Sequence, residues 1–290
     1  MNWTRIALGL LLSAAIGLVA YRRDSLSKSG VVGAIITGTA IFGFGGWTWG
    51  LVLIAFFVSS TLLSHFRRAD KTAIAEKFAK GERRDLAQTL ANGGFGALLA
   101  VAVLLFIDLT GKPRLGNPLY AYLTLAYFGA IASANADTWA TELGVLSRTP
   151  PRLITTGKPV APGTSGGITW YGTVAALAGS AFIGVTAFFF IQGAALATSG
   201  GLLLSDLPVV WIASLAGLVG SLFDSLLGAT VQAMYWCDTC GKETERLVHT
   251  CGAPTRPLRG WPWLSNDAVN FVSSVVGGLL AGSLGLLILL

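Results

Sequence analysis

Residues 207–232 read LPVVWIASLAGLVGSLFDSLLGATVQ. Asp224 is the single charged residue in that run. A membrane-crossing helix needs about 20 predominantly apolar residues, and this stretch supplies them. Gly217, Ser221, Asp224, Ser225, Gly228 and Gln232 recur at steps of three or four. At 3.6 residues per turn they fall on one narrow face. The helix is therefore apolar toward lipid and polar along one stripe. An ionisable residue inside a span is a functional candidate by default, and close packing of small residues is the plainer reading.

The rest of the chain fits such a helix. Of 290 residues, 53% are hydrophobic and 12% charged, and mean hydropathy is +0.67. Soluble domains carry about 25% charged residues, so an ordinary soluble enzyme and a disordered chain are excluded. The 37 glycines suit helices packed backbone to backbone. Apolar runs close to 20 residues exclude a transmembrane barrel, whose segments are about 10 residues and alternate. The expected fold is all-α, a polytopic membrane helix bundle of one domain over 1–290.

Eight spans are predicted, roughly at 3–20, 29–45, 47–65, 91–110, 118–136, 169–192, 207–230 and 268–290. The first is followed by Arg22 and Arg23 and lacks a clean small-residue cleavage site, so it reads as a retained helix. The second and third are separated only by GFGGWTWG (43–50) and could form a tight hairpin or a re-entrant pair. Loops after spans one, three, five and seven hold seventeen of the 20 lysines and arginines, leaving Arg5, Lys112 and Arg114 to the other face. This alternation predicts those loops in the cytoplasm, both termini outside, and residence in a bacterial plasma membrane. The net charge of +6 then reflects loops beside anionic lipid; nucleic acid is not an expected partner. The oligomeric state is left open.

Polar residues cluster toward the basic face. The fifth span ends in ANADTWATELG (134–144). In a helix Asn135, Thr138 and Glu142 share one side, with Asp137 and Thr141 roughly opposite, so both acids are not expected on one small ligand. Asp137, nearer the membrane boundary, is favoured for chemistry and Glu142 for orienting a neighbouring loop. Asn266, Asn270, Ser273 and Gly277 share a face of the eighth span, while Asn266 and Asp267 could equally cap its start. In the second span Gly30, Gly33, Ala34 and Thr37 read as packing. Gly163, Thr164, Ser165, Gly166 and Gly167 precede a span and could aim backbone N–H groups at an anion, or form a plain turn. Arg83 and Arg84, ahead of Asn92, could grip phosphate with planar donors. Carboxylates in a basic cavity suit Mg²⁺-bound polyphosphate, because Mg²⁺ takes one or two carboxylates, waters and phosphate oxygens.

Cys237, Cys240, His249 and Cys251 lie within a polar loop at 231–265. Three thiolates and an imidazole suit tetrahedral zinc, although the His-x-Cys spacing is not that of a standard finger. Unliganded thiols and redox work are the alternatives. No serine–histidine–acid set for hydrolysis is present.

GERRDLAQTLANGG (81–94), ANADTWATELG, PGTSGGITWYG (162–172), GSLFDSLLGATVQ (220–232), CGKETERLVHTCG (240–252) and NDAVNFVSS (266–274) resemble a membrane family. It includes the plant and cyanobacterial phytyl-phosphate kinases and the transmembrane protein 19 group, and is distantly similar to CTP-using polyprenol kinases. The resemblance implies transfer of the CTP γ-phosphoryl group to an isoprenyl monophosphate. By motif match it implies Asp137 and Asp224 as carboxylates organising Mg²⁺. Asn92, Asn135, Asn266, Asp267 and Asn270 would line the cavity. Lys158, Gly163, Gly166 and Gly167 would approach the nucleotide phosphates. A kinase for a free polyprenol, a cytidylyltransferase, and a transporter or lipid scramblase remain as other readings. A transporter would be expected to show inverted repeats, which the sequence lacks.

Overall fold

The computed structural model describes residues 2–66, 83–110, 117–199, 201 and 204–289. Within them the chain forms helices α1 (Trp3–Arg22), α2 (Lys28–Ala40), α3 (Trp47–His65), α4 (Leu86–Thr110), α5 (Pro118–Gly144), α6 (Trp170–Ser199), α7 (Pro208–Thr230) and α8 (Asn266–Leu289). Seven of the eight are long and apolar enough to cross a membrane. The exception is α5, whose 27 residues span about 40 Å at 1.5 Å per residue. Helices α3, α4, α6, α7 and α8 all pack on it. Residues 124–136 of α5 are buried without interruption, so a neighbouring helix takes the place of lipid and the apolar requirement relaxes.

The ends of the helices follow from local chemistry. The α4 start is a capping box: Gln88 N–H donates to Asp85 Oδ1 (2.9 Å), and Asp85 N–H donates to Gln88 Oε1 (3.3 Å). Asn117 accepts from the amides of Leu119 and Tyr120 ahead of Pro118, and Thr169 Oγ1 accepts from Gly172 N–H. A π-turn, Ile41–Gly45, extends α2. Gly46, at φ +92°, then turns the chain into α3, and Arg5 Nε donates to Gly43 O (3.0 Å). Spans two and three are thus separate helices of 18 and 19 residues joined at Gly46, each long and apolar enough to cross a membrane.

Small residues set the central packing. A Cβ added to Gly129 of α5 would stand 2.4 Å from Ala281 Cβ and 2.5 Å from Gly277 O of α8. One added to Gly220 of α7 would meet Ser133 Oγ at 2.1 Å. Glycine and alanine at these crossings let backbones touch, which in lipid substitutes for a hydrophobic driving force. Gly30 and Gly33 likewise admit the Arg84 backbone and Thr89, so the second-span stripe is packing. Trp49 stacks on Tyr127 at 4.1 Å, and the Tyr127 hydroxyl donates to Trp49 O (2.7 Å).

Successive helices alternate in direction. The described parts of the connections after α1, α3, α5 and α7 meet at one end, where Ser27 N–H donates to Arg84 O and Arg84 N–H to Ser25 O. Exposed tryptophans mark both ends: Trp3, Trp47 and Trp211 on one, Trp170, Trp261 and Trp263 on the other. Two small antiparallel sheets lie at the second end. One pairs β1 (Arg152–Leu153) with β2 (Gly167–Ile168); the other has β3 (Met234–Cys237) between β4 (Lys242–Thr244) and β5 (Arg256–Arg259). The five expected basic residues from Arg67 to Lys80, Gly81 and Glu82 of the first motif, and Lys112 and Arg114 lie outside the described residues.

Candidate functional site

A cavity of about 1100 Å³ opens where those four connections converge. The polar stripe of α7 supplies Ser221, Asp224, Ser225 and, just beyond it, Gln232. From α5 come Asp137, Thr138, Thr141 and Glu142; from α8, Asn266, Asp267 and Asn270; from the α4 start, Arg84, Gln88 and Asn92. Glu245, just after β4, and the 163–167 loop complete the rim. Asp137, Asp224 and Glu245 are close enough for their charges to act on one another.

Two atoms at this site, Asp224 Oδ2 and Arg84 Nη1, are enclosed and lack a hydrogen-bond partner among the described residues. Buried polar atoms without partners are rare and costly, so a carboxylate oxygen and a guanidinium nitrogen left this way call for a cation and an anion. Burial lowers the Arg84 pKa, with Glu142 opposing the shift, yet an arginine starts so high that it keeps its charge. Glu142 accepts from Ser64 Oγ (2.8 Å).

A chain of hydrogen bonds ties the rim together. Ser165 Oγ donates to Gln232 Oε1 (3.0 Å), and Gln232 Nε2 donates to Glu245 Oε1 (2.8 Å). Arg259 joins the sheet to the bundle, with Nη1 on Gly228 O (2.8 Å) and Nη2 on Glu243 Oε1 (3.1 Å). Beyond the rim, one ligand atom each of Cys237, Cys240, His249 and Cys251 lies within 4.8 Å of the others. The Ala253 backbone and the His249 imidazole bring the Cys251 thiol down to about 6, while hydrogen bonding to Cys251 and burial push Cys240 up to about 11.

The family described as integral membrane protein DUF92 matches residues 11–278. The chain belongs to the DUF92 family. Protein PGR of Arabidopsis thaliana is 36% identical over 282 residues, covering 95% of this chain and 94% of that protein. An uncharacterised membrane protein of Methanocaldococcus jannaschii is 28% identical over 276 residues, 95% and 92% of the two chains. Protein VTE6, chloroplastic, of Arabidopsis thaliana is 26% identical over 259 residues, 88% of this chain and 64% of that one. No solved structure matches.

In this DUF92 chain the structure gathers most of the residues singled out from sequence, and separates three. Asp137, Asp224, Asn92, Arg84, Asn266, Asp267 and Asn270 share the cavity. Asn135 does not line it: its Nδ2 donates to Gly179 O (2.7 Å) and its Oδ1 accepts from Ser59 Oγ (3.1 Å), so it joins α3, α5 and α6. Arg83 pairs with Asp24, and Lys158 is exposed on the β1–β2 connection. The glycine loop lines the cavity, but Gly167 N–H and Thr164 N–H donate to Thr164 O and Ala161 O. Those two amides are thus spent on the turn, and Gly163 and Gly166 are present for their positive φ, +76° and +80°. Gly166 also touches Ala229, which a Cβ would meet at 2.4 Å. DUF92 residues missed from sequence are Glu245, Gln88 and Ser64. Glu245 sits in a polar loop where an acid carries no burial signal, and Gln88 was legible as the partner of Asp85 in a capping box.

Proposed function

We propose that this protein transfers the γ-phosphoryl group of CTP to an isoprenyl monophosphate of phytyl type, giving the diphosphate and CDP. One observation carries the reading. A second, almost wholly apolar cavity lies among α1, α2, α3 and α4, lined by residues such as Leu12, Ile16, Leu53 and Phe57. It shares Arg84, Gln88 and Asn92 with the polar cavity. The junction suits an amphiphile, with its phosphate on the guanidinium and the first carbons of its tail among the apolar side chains of this cavity of about 90 Å³.

Phosphoryl transfer requires positioning and charge neutralisation above covalent chemistry by the protein. A phosphate oxygen of the lipid attacks the γ-phosphorus, and the bond from that phosphorus to the β–γ bridging oxygen breaks, leaving on CDP. The acceptor is already an anion at neutral pH, so no strong base is needed. Asp137 and Asp224, with Glu245 beside them, form an all-oxygen donor set that fits Mg²⁺, and Asp224 Oδ2 is the enclosed oxygen such an ion would satisfy. Bound there, Mg²⁺ would supply charge neutralisation for the phosphates. Arg84 orients the acceptor, and the amides of Asn92 and Asn270 donate to phosphate oxygens. The choice of CTP rests on the resemblance to polyprenol kinases. The basic connections framing the cavity support a cytoplasmic opening.

The test is purified protein with γ-labelled CTP and Mg²⁺, offered phytyl, geranylgeranyl and farnesyl phosphates and their alcohols. Labelled diphosphate from a monophosphate is expected. Labelled monophosphate from an alcohol would make it a polyprenol kinase, and cytidine attached to lipid a cytidylyltransferase. No transfer, with lipid or substrate moved across vesicles, would make it a transporter or scramblase.

A further inference from the structure

We infer that Cys237, Cys240, His249 and Cys251 hold one Zn²⁺, and that this ion fixes the three-stranded sheet so that Glu245 stands over Asp137 and Asp224. The ion's presence follows from the cluster alone; the role of Glu245 rests on the proposed reaction.

The four ligand atoms lie close enough together for one tetrahedral ion. Cys237 Sγ and Cys251 Sγ are 3.7 Å apart, and His249 Nδ1 is 3.3 Å from Cys251 Sγ. Two sulfurs on one zinc at about 2.3 Å each are separated by about 3.8 Å. Four protein ligands leave no open position, which marks a structural ion and not a catalytic one. Each ligand pair sits on a tight turn finished by a glycine with positive φ: Gly241 (+59°), whose N–H donates to Cys237 O, and Gly252 (+83°), whose N–H donates to His249 O. These turns bring Cys240 back beside Cys237, and Cys251 beside His249.

The sheet needs such an ion. Its strands are four, three and four residues long, and Leu247, Val248 and Leu258 are exposed, so it has little core of its own. Small folds of this kind rely on metals or disulfides. A disulfide would use two of three thiols and leave His249, which is buried, without a role. The position of the sheet matters because Glu245 brings a third carboxylate toward two others. Like charges repel, so the arrangement persists only where the backbone carrying Glu245 is held. The Gln232 bond to Glu245 and the Arg259 contacts hold it from the bundle side, and the ion holds it from the other.

The experiment measures metal content, amide exchange and transfer on the full-length protein purified in detergent without chelator. About one zinc per chain is expected, the stoichiometry of one four-ligand site. Cys251→Ser is expected to lose the ion and to raise exchange across 234–259. Cys251→His, which replaces one ligand by another, is expected to retain both zinc and protection. Glu245→Gln is expected to keep its zinc yet lower CTP transfer about tenfold or more, as positioning groups do. Absence of zinc from the unsubstituted protein overturns the inference, as does zinc retained in full by both Cys240→Ser and Cys251→Ser. Unchanged exchange after the ion is lost overturns its pinning role. Should zinc and exchange behave as expected while no lipid phosphate is phosphorylated, the proposed reaction fails and the metal site stands.

Discussion

At the scale of single residues, side chains of one type divide by what they touch. Asn135 and Asn270 look alike in sequence, each on a polar helix face. Asn135 is sealed between helices with both ends of its amide engaged, whereas Asn270 faces the cavity. Asn135→Ala is therefore expected to cost about 1–2 kcal/mol, the upper range for interhelical hydrogen bonds, and to lower Tm in detergent. Asn270→Ala is expected to leave Tm within a degree or two and to reduce phosphoryl transfer. The reverse pattern would show the two roles misassigned. Arg84 offers a second test: Arg84→Lys keeps charge but loses the planar fork, so KM for the lipid phosphate should rise about tenfold with smaller change in KM for CTP. An equal rise in both would remove the acceptor role.

At the scale of elements, helix existence was legible and helix ends less so. Apolar runs near 20 residues set the eight spans; all eight are present as helices, and seven are long and apolar enough to cross a membrane. The fifth was expected to stop at 136 because its sequence turns polar; it runs to Gly144 because those polar residues line a cavity instead of leaving the helix. The fourth begins at Leu86, earlier than expected, since the Asp85–Gln88 box starts it. The three-stranded sheet was not legible, as strands this short show no two-residue period. Glycine chemistry separates contact from freedom. A Cβ at Gly129 would collide with α8 backbone, and one at Gly193 finds nothing within 4 Å. Gly129→Ala should lower Tm sharply, and Gly193→Ala should raise stability by about 0.4–1 kcal/mol. Thermal unfolding of the two variants in one detergent checks both signs.

At the scale of the whole molecule, eight alternating helices bring the basic connections, the cavity and both small sheets to one end. The charge asymmetry made this end legible before any contact was known, because the positive-inside bias acts on loops and not on packing. What stayed hidden was convergence: four connections far apart in sequence supply one cavity, and no local pattern reports that. A cytoplasmic cavity predicts that Thr155→Cys, on the cavity side, resists a membrane-impermeant maleimide in intact cells, while Ser205→Cys, in the α6–α7 connection, is labelled. The native cysteines share the side of Thr155, so unsubstituted protein should give low background. Labelling of Thr155→Cys with protection of Ser205→Cys would invert the orientation.

The most direct measurement is the initial rate of γ-label transfer from CTP to phytyl phosphate, with Mg²⁺, in unsubstituted protein, Asp137→Asn and Asp224→Asn, each checked for an unchanged melting curve. Loss of at least about 100-fold in both variants is expected if these carboxylates neutralise the transferring phosphates. Full transfer by either folded variant would contradict the account.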